Sequence, residues 1–467
     1  MTTETVGLAP QPQPSILEEY SNGVAPKYNP HDHLSDRSKV TEVDGIRGLM
    51  SLEKGDVVSF LYVLVSNLQY SAGRPNPVTF PFESITLNLK SPLGSTSTDI
   101  PPSVTIDGED LNVALQYAPS AGLPKLTSWL SDLQSTVHKR DKSDFAISLG
   151  SGSQDLMYKG FLAVLNPGDP VLLETPIYSG VLPPLKFLHA EMIEIDVDEQ
   201  GGSAVNLEKA LSEWPKGKKM PKVLYSSPVG SNPSGCSAPR ERKLEILKVC
   251  KKYGILIFED DPYYYLAEKH IPSYFALETE VYPEGGHVVR FDSFSKLLSA
   301  GLRLGFVTGP KEITHAIDVI TAGANLHTSG VSQAVALRLM QEWGLEGFLN
   351  HGRQVAHLYA TRRAQFEASA HKYLDGLASW VSPVAGMFLW VDLSEAGIED
   401  SYELIRHEAL AKGVLGVPGV AFYPHSRKSP HVRLSFSIVD LEQDTDLGFQ
   451  RLAEAIREKQ AKLGIKA

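Results

Sequence analysis

Lys296 lies in SFSKLLSAGLRLGF, residues 293–306, between two serines and an apolar run, with Arg303 seven residues further on. A lysine beside apolar groups and a second cation holds its proton less tightly. Its free amine is then a nucleophile able to form a Schiff base with an aldehyde. Ser293, Ser295 and Arg303 add two hydroxyls and a fork of donors, a set suited to a phosphate.

Three other stretches carry chemistry. GSGSQ, Gly150–Gln154, is either a tight turn or a phosphate cradle, in which small residues let backbone N–H groups and a helix N-terminus meet an anion. It is neither a dinucleotide fingerprint, because Asp155 stands where the third glycine would be, nor a P-loop, because no Gly-Lys-Ser/Thr follows. In FEDDPYYY, 258–265, Asp260 closes an apolar strand, where a carboxylate needs a cationic partner such as a protonated ring nitrogen; helix capping is the other reading. Tyr263 is three residues away, within reach of the same ligand. Asn232, in SNPSG, either opens a turn or donates its amide to a phenolic oxygen. One ligand answers all four tools: pyridoxal 5'-phosphate has a phosphate, a basic ring nitrogen, a phenolic oxygen and an aldehyde.

The elements that must position these residues follow from patterning. DFAISL (144–149), PVLLE (170–174), KVLYSS (222–227), ILIFED (255–260) and HVVRFDSF (287–294) read as buried strands alternating with helices. SAPRERKLEILKVCKKYG, 237–254, is an amphipathic helix stopped by Gly254. Such alternation predicts an α/β fold, a mostly parallel sheet sandwiched by helices. Ligands then bind outside the C-terminal strand ends, where the four tools stand. A helix over about 350–375, strands GMFLWVDL (386–393) and HVRLSFS (431–437) and a last helix, about 441–463, predict a smaller α+β domain. The expected division is an arm and active-site lead-in over 1–70, with a short helix near Val40–Leu52, a large domain over 71–345 and a small domain over 346–467.

Bulk properties narrow the function. A net charge of −11 and a pI of about 5.7 argue against a broad nucleic-acid or anionic-membrane surface. Two cysteines, Cys236 and Cys250, build no disulfide framework or zinc site, which favours a reducing compartment, the cytoplasm. The polar N-terminus does not read as a signal peptide, and VVSFLYVLVS (57–66) is too short for a membrane span. HDH, 31–33, is read as a solvated loop rather than a metal pair.

SFSKLLSAGLRLGFVTGP, EDDPYYYL, NPSG, GSGSQ, NPGDPVLLETPIYSG and LQYAPSAGLPKLTSWL resemble the fold-type I pyridoxal-phosphate aminotransferases, especially the fungal aromatic and the kynurenine/2-aminoadipate subgroup. The resemblance runs from about residue 70 to the C-terminus. It implies that Lys296 carries the cofactor as a Schiff base, Asp260 pairs with the pyridinium nitrogen, Asn232 and Tyr263 bind the phenolic oxygen and Tyr178 stacks on the ring. Ser153, Gln154, Ser293, Ser295 and Arg303 would hold the phosphate, and Tyr117 would reach it from the other subunit of a homodimer. Arg433 would clamp the substrate α-carboxylate, with Asn232 and Gly73 also facing the substrate. The segment VVSFLYVLVSNLQYSAGRPNP departs from the family by being longer and more apolar than its usual lead-in.

The implied reaction is ping-pong transamination between an L-amino acid, aromatic by the resemblance, and a 2-oxo acid such as 2-oxoglutarate. 2-Aminoadipate, kynurenine, methionine and leucine are the other donors. Decarboxylase, lyase or synthase chemistry on the same scaffold is the runner-up. A cofactor-binding transcription regulator would need a basic N-terminal domain that the first 60 residues do not supply.

Overall fold

The computed structural model describes residues 29–39, 74–90, 93 and 103–465. The expected helix over 40–52, the apolar segment at 57–70 and Gly73 lie outside these described residues.

A hairpin, β1 (Ser84–Asn88) with β2 (Ser103–Asp107), precedes the main sheet. Seven strands form that sheet: β3 (Ala146–Gly150), β4 (Pro170–Thr175), β5 (Glu191–Asp196), β6 (Val223–Ser226), β7 (Leu256–Asp260), β8 (Val288–Ser293) and β9 (Gly305–Gly309), in the order β3-β9-β8-β7-β6-β4-β5. All neighbours run parallel except β9, which is antiparallel to both β3 and β8. The strands are apolar on both faces because both are covered. Leu173, Tyr225, Phe258 and Phe291 pack with Phe161 and Ile317 on one side. Leu172, Leu224 and Ile257 pack with Leu247 and Phe275 on the other. Each fully buried aliphatic or aromatic side chain contributes about 1.5–3 kcal/mol to this arrangement.

The helix expected over 237–254 spans Arg240–Tyr253, and Gly254 ends it at φ 66. The helix expected from about 350 starts earlier, at Gly330, and runs to Leu374 with a break at Gly344 (φ 64). A second sheet, β10 (Phe388–Asp392), β11 (Val417–Pro418) and β12 (His431–Ser435), is antiparallel and ordered β10-β12-β11. It packs with the helix Asp444–Leu463 around a separate core containing Leu389, Val391, Val432 and Phe449.

The HDH stretch is not wholly solvated, contrary to expectation. His33 is buried and its Nε2 donates to the Gly254 carbonyl at 2.9 Å, tying this turn to a helix end. No cluster of metal-ligating side chains occurs among the described residues.

Candidate active site

The C-terminal ends of β6, β7 and β8 open on a cavity of about 190 Å³ lined by Ser153, Gln154, Tyr178, Asn232, Asp260, Tyr263, Ser293, Ser295, Lys296 and Arg303. These are ten of the thirteen residues singled out in the sequence. Arg433 joins them through Asn232, whose Oδ1 accepts from Arg433 Nη1 at 2.7 Å. Tyr117 is not among the lining residues. It is half exposed beside a separate groove with Arg74, Gln116 and Arg338, edge-on to His327.

Lys296 closes a short 3-10 turn, Phe294–Lys296, directly after β8. Burial lowers its pKa, and the charges of Arg303 and Arg433 lower it further, so the amine sheds its proton more readily than a surface lysine. Asp260 ends β7 and is 3% exposed. Its Oδ2 accepts the Tyr225 hydroxyl at 2.6 Å, while Oδ1 is buried with no hydrogen-bond partner among the described residues. Burial pushes its pKa up to about 7, and the Tyr225 bond opposes that rise.

The phosphate side of the cavity is built from backbone. Gly152, at φ 93, turns the chain from β3 into the helix Ser153–Val164. A Cβ on Gly152 would come 2.6 Å from Arg303 Nη2, so only glycine lets the guanidinium lie against the loop. Arg303 donates to the Ser151 carbonyl at 3.1 Å. Asp155 Oδ2 accepts the Ser151 amide at 3.0 Å and the ammonium of buried Lys159 at 2.9 Å. The residue that breaks the dinucleotide pattern therefore braces the loop. Gln154 is partly committed elsewhere, donating to the Gly180 carbonyl at 2.6 Å.

On the opposite side, the Arg433 guanidinium lies 4.2 Å from the centre of the Phe388 ring and 5.1 Å from that of Phe422. Its Nε has no hydrogen-bond partner among the described residues. Tyr178 is partly buried, and burial followed by the charge of Asp260 raises its pKa.

Beneath the site, fully buried Arg290 donates to Asp261 at 2.7 Å and grips Asp292 through both Nε (3.0 Å) and Nη2 (2.9 Å). It also lies 3.3 Å from Glu259. This cluster fastens the turn after β7 to the end of β8, and so Asp260 to the strand that leads to Lys296. Sequence reading missed Arg290, Tyr225, Phe388, Phe422 and the Asp155–Lys159 brace, because each sits inside an apolar strand, loop or helix pattern that looks like packing.

The residues present fit pyridoxal phosphate. An unpartnered buried carboxylate oxygen suits its protonated ring nitrogen. An amine of lowered basicity suits its aldehyde. Two serine hydroxyls, a helix N-terminus and a guanidinium suit its phosphate.

Comparison with known proteins agrees. The profile described as "Aminotransferase class I and II" matches residues 92–447. The chain is 40% identical to Aminotransferase tdiD of Emericella nidulans, covering 93% of this chain and 96% of that protein. It is also 40% identical to the mitochondrial kynurenine/alpha-aminoadipate aminotransferase of Bos taurus, over 84% of this chain and 92% of that one. The crystal structure of aminotransferase Aro8 from Candida albicans superposes with a TM-score of 0.82 at 25% identity, covering 94% of this chain and 99% of that one.

Proposed function

The chain belongs to the class I and II aminotransferases and is a pyridoxal-phosphate enzyme of fold type I that carries out transamination; on that premise we propose that it moves the amino group of an aromatic L-amino acid to a 2-oxo acid such as 2-oxoglutarate. The observation that carries this reading is one cavity holding Lys296, the free oxygen of Asp260 and the Ser153–Ser293–Ser295–Arg303 cup. Likeness to proteins named aromatic amino acid aminotransferases, in Schizosaccharomyces pombe and Dictyostelium discoideum, supports an aromatic donor.

Bound cofactor supplies an aldehyde for an amine and a ring that withdraws electrons from the substrate Cα. The protein does the rest. Lys296 Nζ would hold the cofactor through its aldehyde, its lowered basicity favouring the free amine this needs. The same amine, once free, would be the base that takes the substrate Cα proton. Asp260 Oδ1 keeps the ring nitrogen protonated. Asn232 and Tyr263 donate to the phenolic oxygen, and Tyr178 covers the ring. Ser153, Gln154, Ser293, Ser295 and Arg303 bind the phosphate. Arg433 and Asn232 seat the α-carboxylate by a two-pronged contact.

The active unit in this reading is a homodimer, with Tyr117 of a second copy reaching the phosphate; sedimentation at assay concentration checks it, and a fully active monomer would overturn it. A cytoplasmic location accords with two buried free thiols, Cys236 and Cys250, and cell fractionation checks that.

The experiment for the donor is a half-reaction screen. Cofactor-loaded protein is mixed with single amino acids and the bleaching of the visible cofactor band is timed. Phenylalanine, tyrosine and tryptophan are expected to react fastest; faster reaction with 2-aminoadipate or leucine would refute the aromatic assignment.

A further inference from the structure

Asp260 meets its neighbours unequally. Tyr225, on β6, pairs with Phe258 of β7, so a ring at Tyr225 reaches along the same sheet face to the carboxylate two residues further on. The ring is 1% exposed and packs near Phe161, with centroids 6.4 Å apart. Its hydroxyl donates to Asp260 Oδ2 at 2.6 Å. Burial, reinforced by the charge of Asp260, raises the tyrosine pKa well above its usual value, so this hydroxyl remains a donor throughout the working range.

We propose that Tyr225 is a positioning residue of the site: by donating to Asp260 Oδ2 it turns the other oxygen, Oδ1, toward the ring nitrogen of the cofactor and keeps the carboxyl charged. The proposal rests on the reading that Asp260 faces that nitrogen. An oxygen that accepts one bond keeps a second lone pair, but the Tyr225 hydroxyl fixes the rotation of the carboxyl group and leaves Oδ1, which has no hydrogen-bond partner among the described residues, as its open acceptor.

The charge on Asp260 is contested. Burial and the neighbouring carboxylates of Asp261 and Asp292 favour the neutral acid; Tyr225 and the guanidinium of Arg290 favour the carboxylate. The hydroxyls of Tyr178 and Tyr263 lie in the same surroundings and keep their protons. Asp261 and Asp292 are both bound to Arg290, which leaves the Tyr225 hydroxyl as the one hydrogen bond to the Asp260 carboxylate among the described residues. A neutral Asp260 would hold a ring nitrogen less firmly in its protonated form.

The test is Tyr225→Phe, which deletes one oxygen and keeps the ring. Three quantities are read besides turnover: the melting temperature, the dissociation constant for pyridoxal phosphate titrated into apoprotein, and the pH profile of the half-reaction. Losing a hydrogen bond to a charged group is expected to weaken cofactor binding about tenfold and to move the acid limb of the profile up by about one pH unit. Site-specific 3-fluorotyrosine at 225, a stronger donor of nearly the same shape, should move the limb the other way; it also serves if the phenylalanine variant folds poorly. A lower melting temperature with unchanged affinity and an unmoved limb would mean packing alone and would overturn the proposal.

Asp260→Asn, measured in parallel, separates the two readings. If it leaves cofactor affinity and half-reaction intact, the assignment of Asp260 is wrong and the role of Tyr225 goes with it. If it cripples both while Tyr225→Phe is silent, only the Tyr225 proposal fails. In the Asp260→Asn background, Tyr225→Phe is expected to add less than about twofold.

Discussion

Arg433 and Asn232 are 201 residues apart in sequence and joined by a hydrogen bond of 2.7 Å, from Nη1 to Oδ1. The bond ties β12 of the small sheet to the loop after β6 of the large one. It holds the guanidinium beside Asn232 at the edge of the cavity, with the Phe388 and Phe422 rings against it.

Replacing Arg433 by lysine keeps the charge but loses the fork and the stacking. The expected result is a KM for the amino acid raised about 10- to 100-fold, with cofactor affinity unchanged. Steady-state kinetics together with a cofactor titration check both halves.

Lys296→Ala removes the only lysine among the described residues that lines the cavity. The visible absorbance of lysine-bound cofactor should disappear and the half-reaction should slow by at least about 10²–10⁴-fold. Normal turnover in this variant would refute the assignment.

Gly152→Ala forces a side chain onto a backbone at φ 93 and 2.6 Å from the Arg303 guanidinium. Displacing that cation from the loop should weaken binding of pyridoxal phosphate about tenfold while binding of pyridoxal without the phosphate changes little. Parallel titrations with the two ligands read the difference.

Glu174 is buried, accepts from Ser226 at 2.6 Å, and burial pushes its pKa up to about 7 from an ordinary 4.5. Between those values the folded state keeps a proton that the unfolded chain has lost. The contribution of this residue to stability is therefore full below about pH 4.5 and falls as pH rises through 7. Glu174→Gln removes the titration, so the variant should gain on wild type by about 2 kcal/mol between pH 5 and pH 8. Urea melts at the two pH values supply the comparison.

Much of this molecule was legible because its strands are apolar runs with clear ends, and two of them, ILIFED and HVVRFDSF, stop where the site residues Asp260 and Ser293 to Lys296 stand. β5 (EMIEID) escaped because acidic residues interrupt it at the sheet edge, and β9 (GFVTG) because its glycines read as a turn. In β9 the glycine is a matter of space: a Cβ on Gly305 would come 2.7 Å from the Ser153 amide. Tyr225 and Arg290 were hidden for another reason. Their partners lie on neighbouring strands, and one sequence gives no register by which Tyr225 meets Asp260, or Arg290 meets Asp261.

The Arg290 cluster bears on how the sheet assembles. A one-residue slip of β8 would swing that guanidinium, together with Asp292 of the same strand, to the opposite face, among Phe258, Val307 and Phe161, and leave Glu259 and Asp261 uncompensated inside. Isolating such buried charge costs about 3–5 kcal/mol. The ionic knot thus works as a key for strand alignment: a misthreaded chain cannot bury its charges in balance, and only the correctly threaded one brings Asp260 and Lys296 to the same opening.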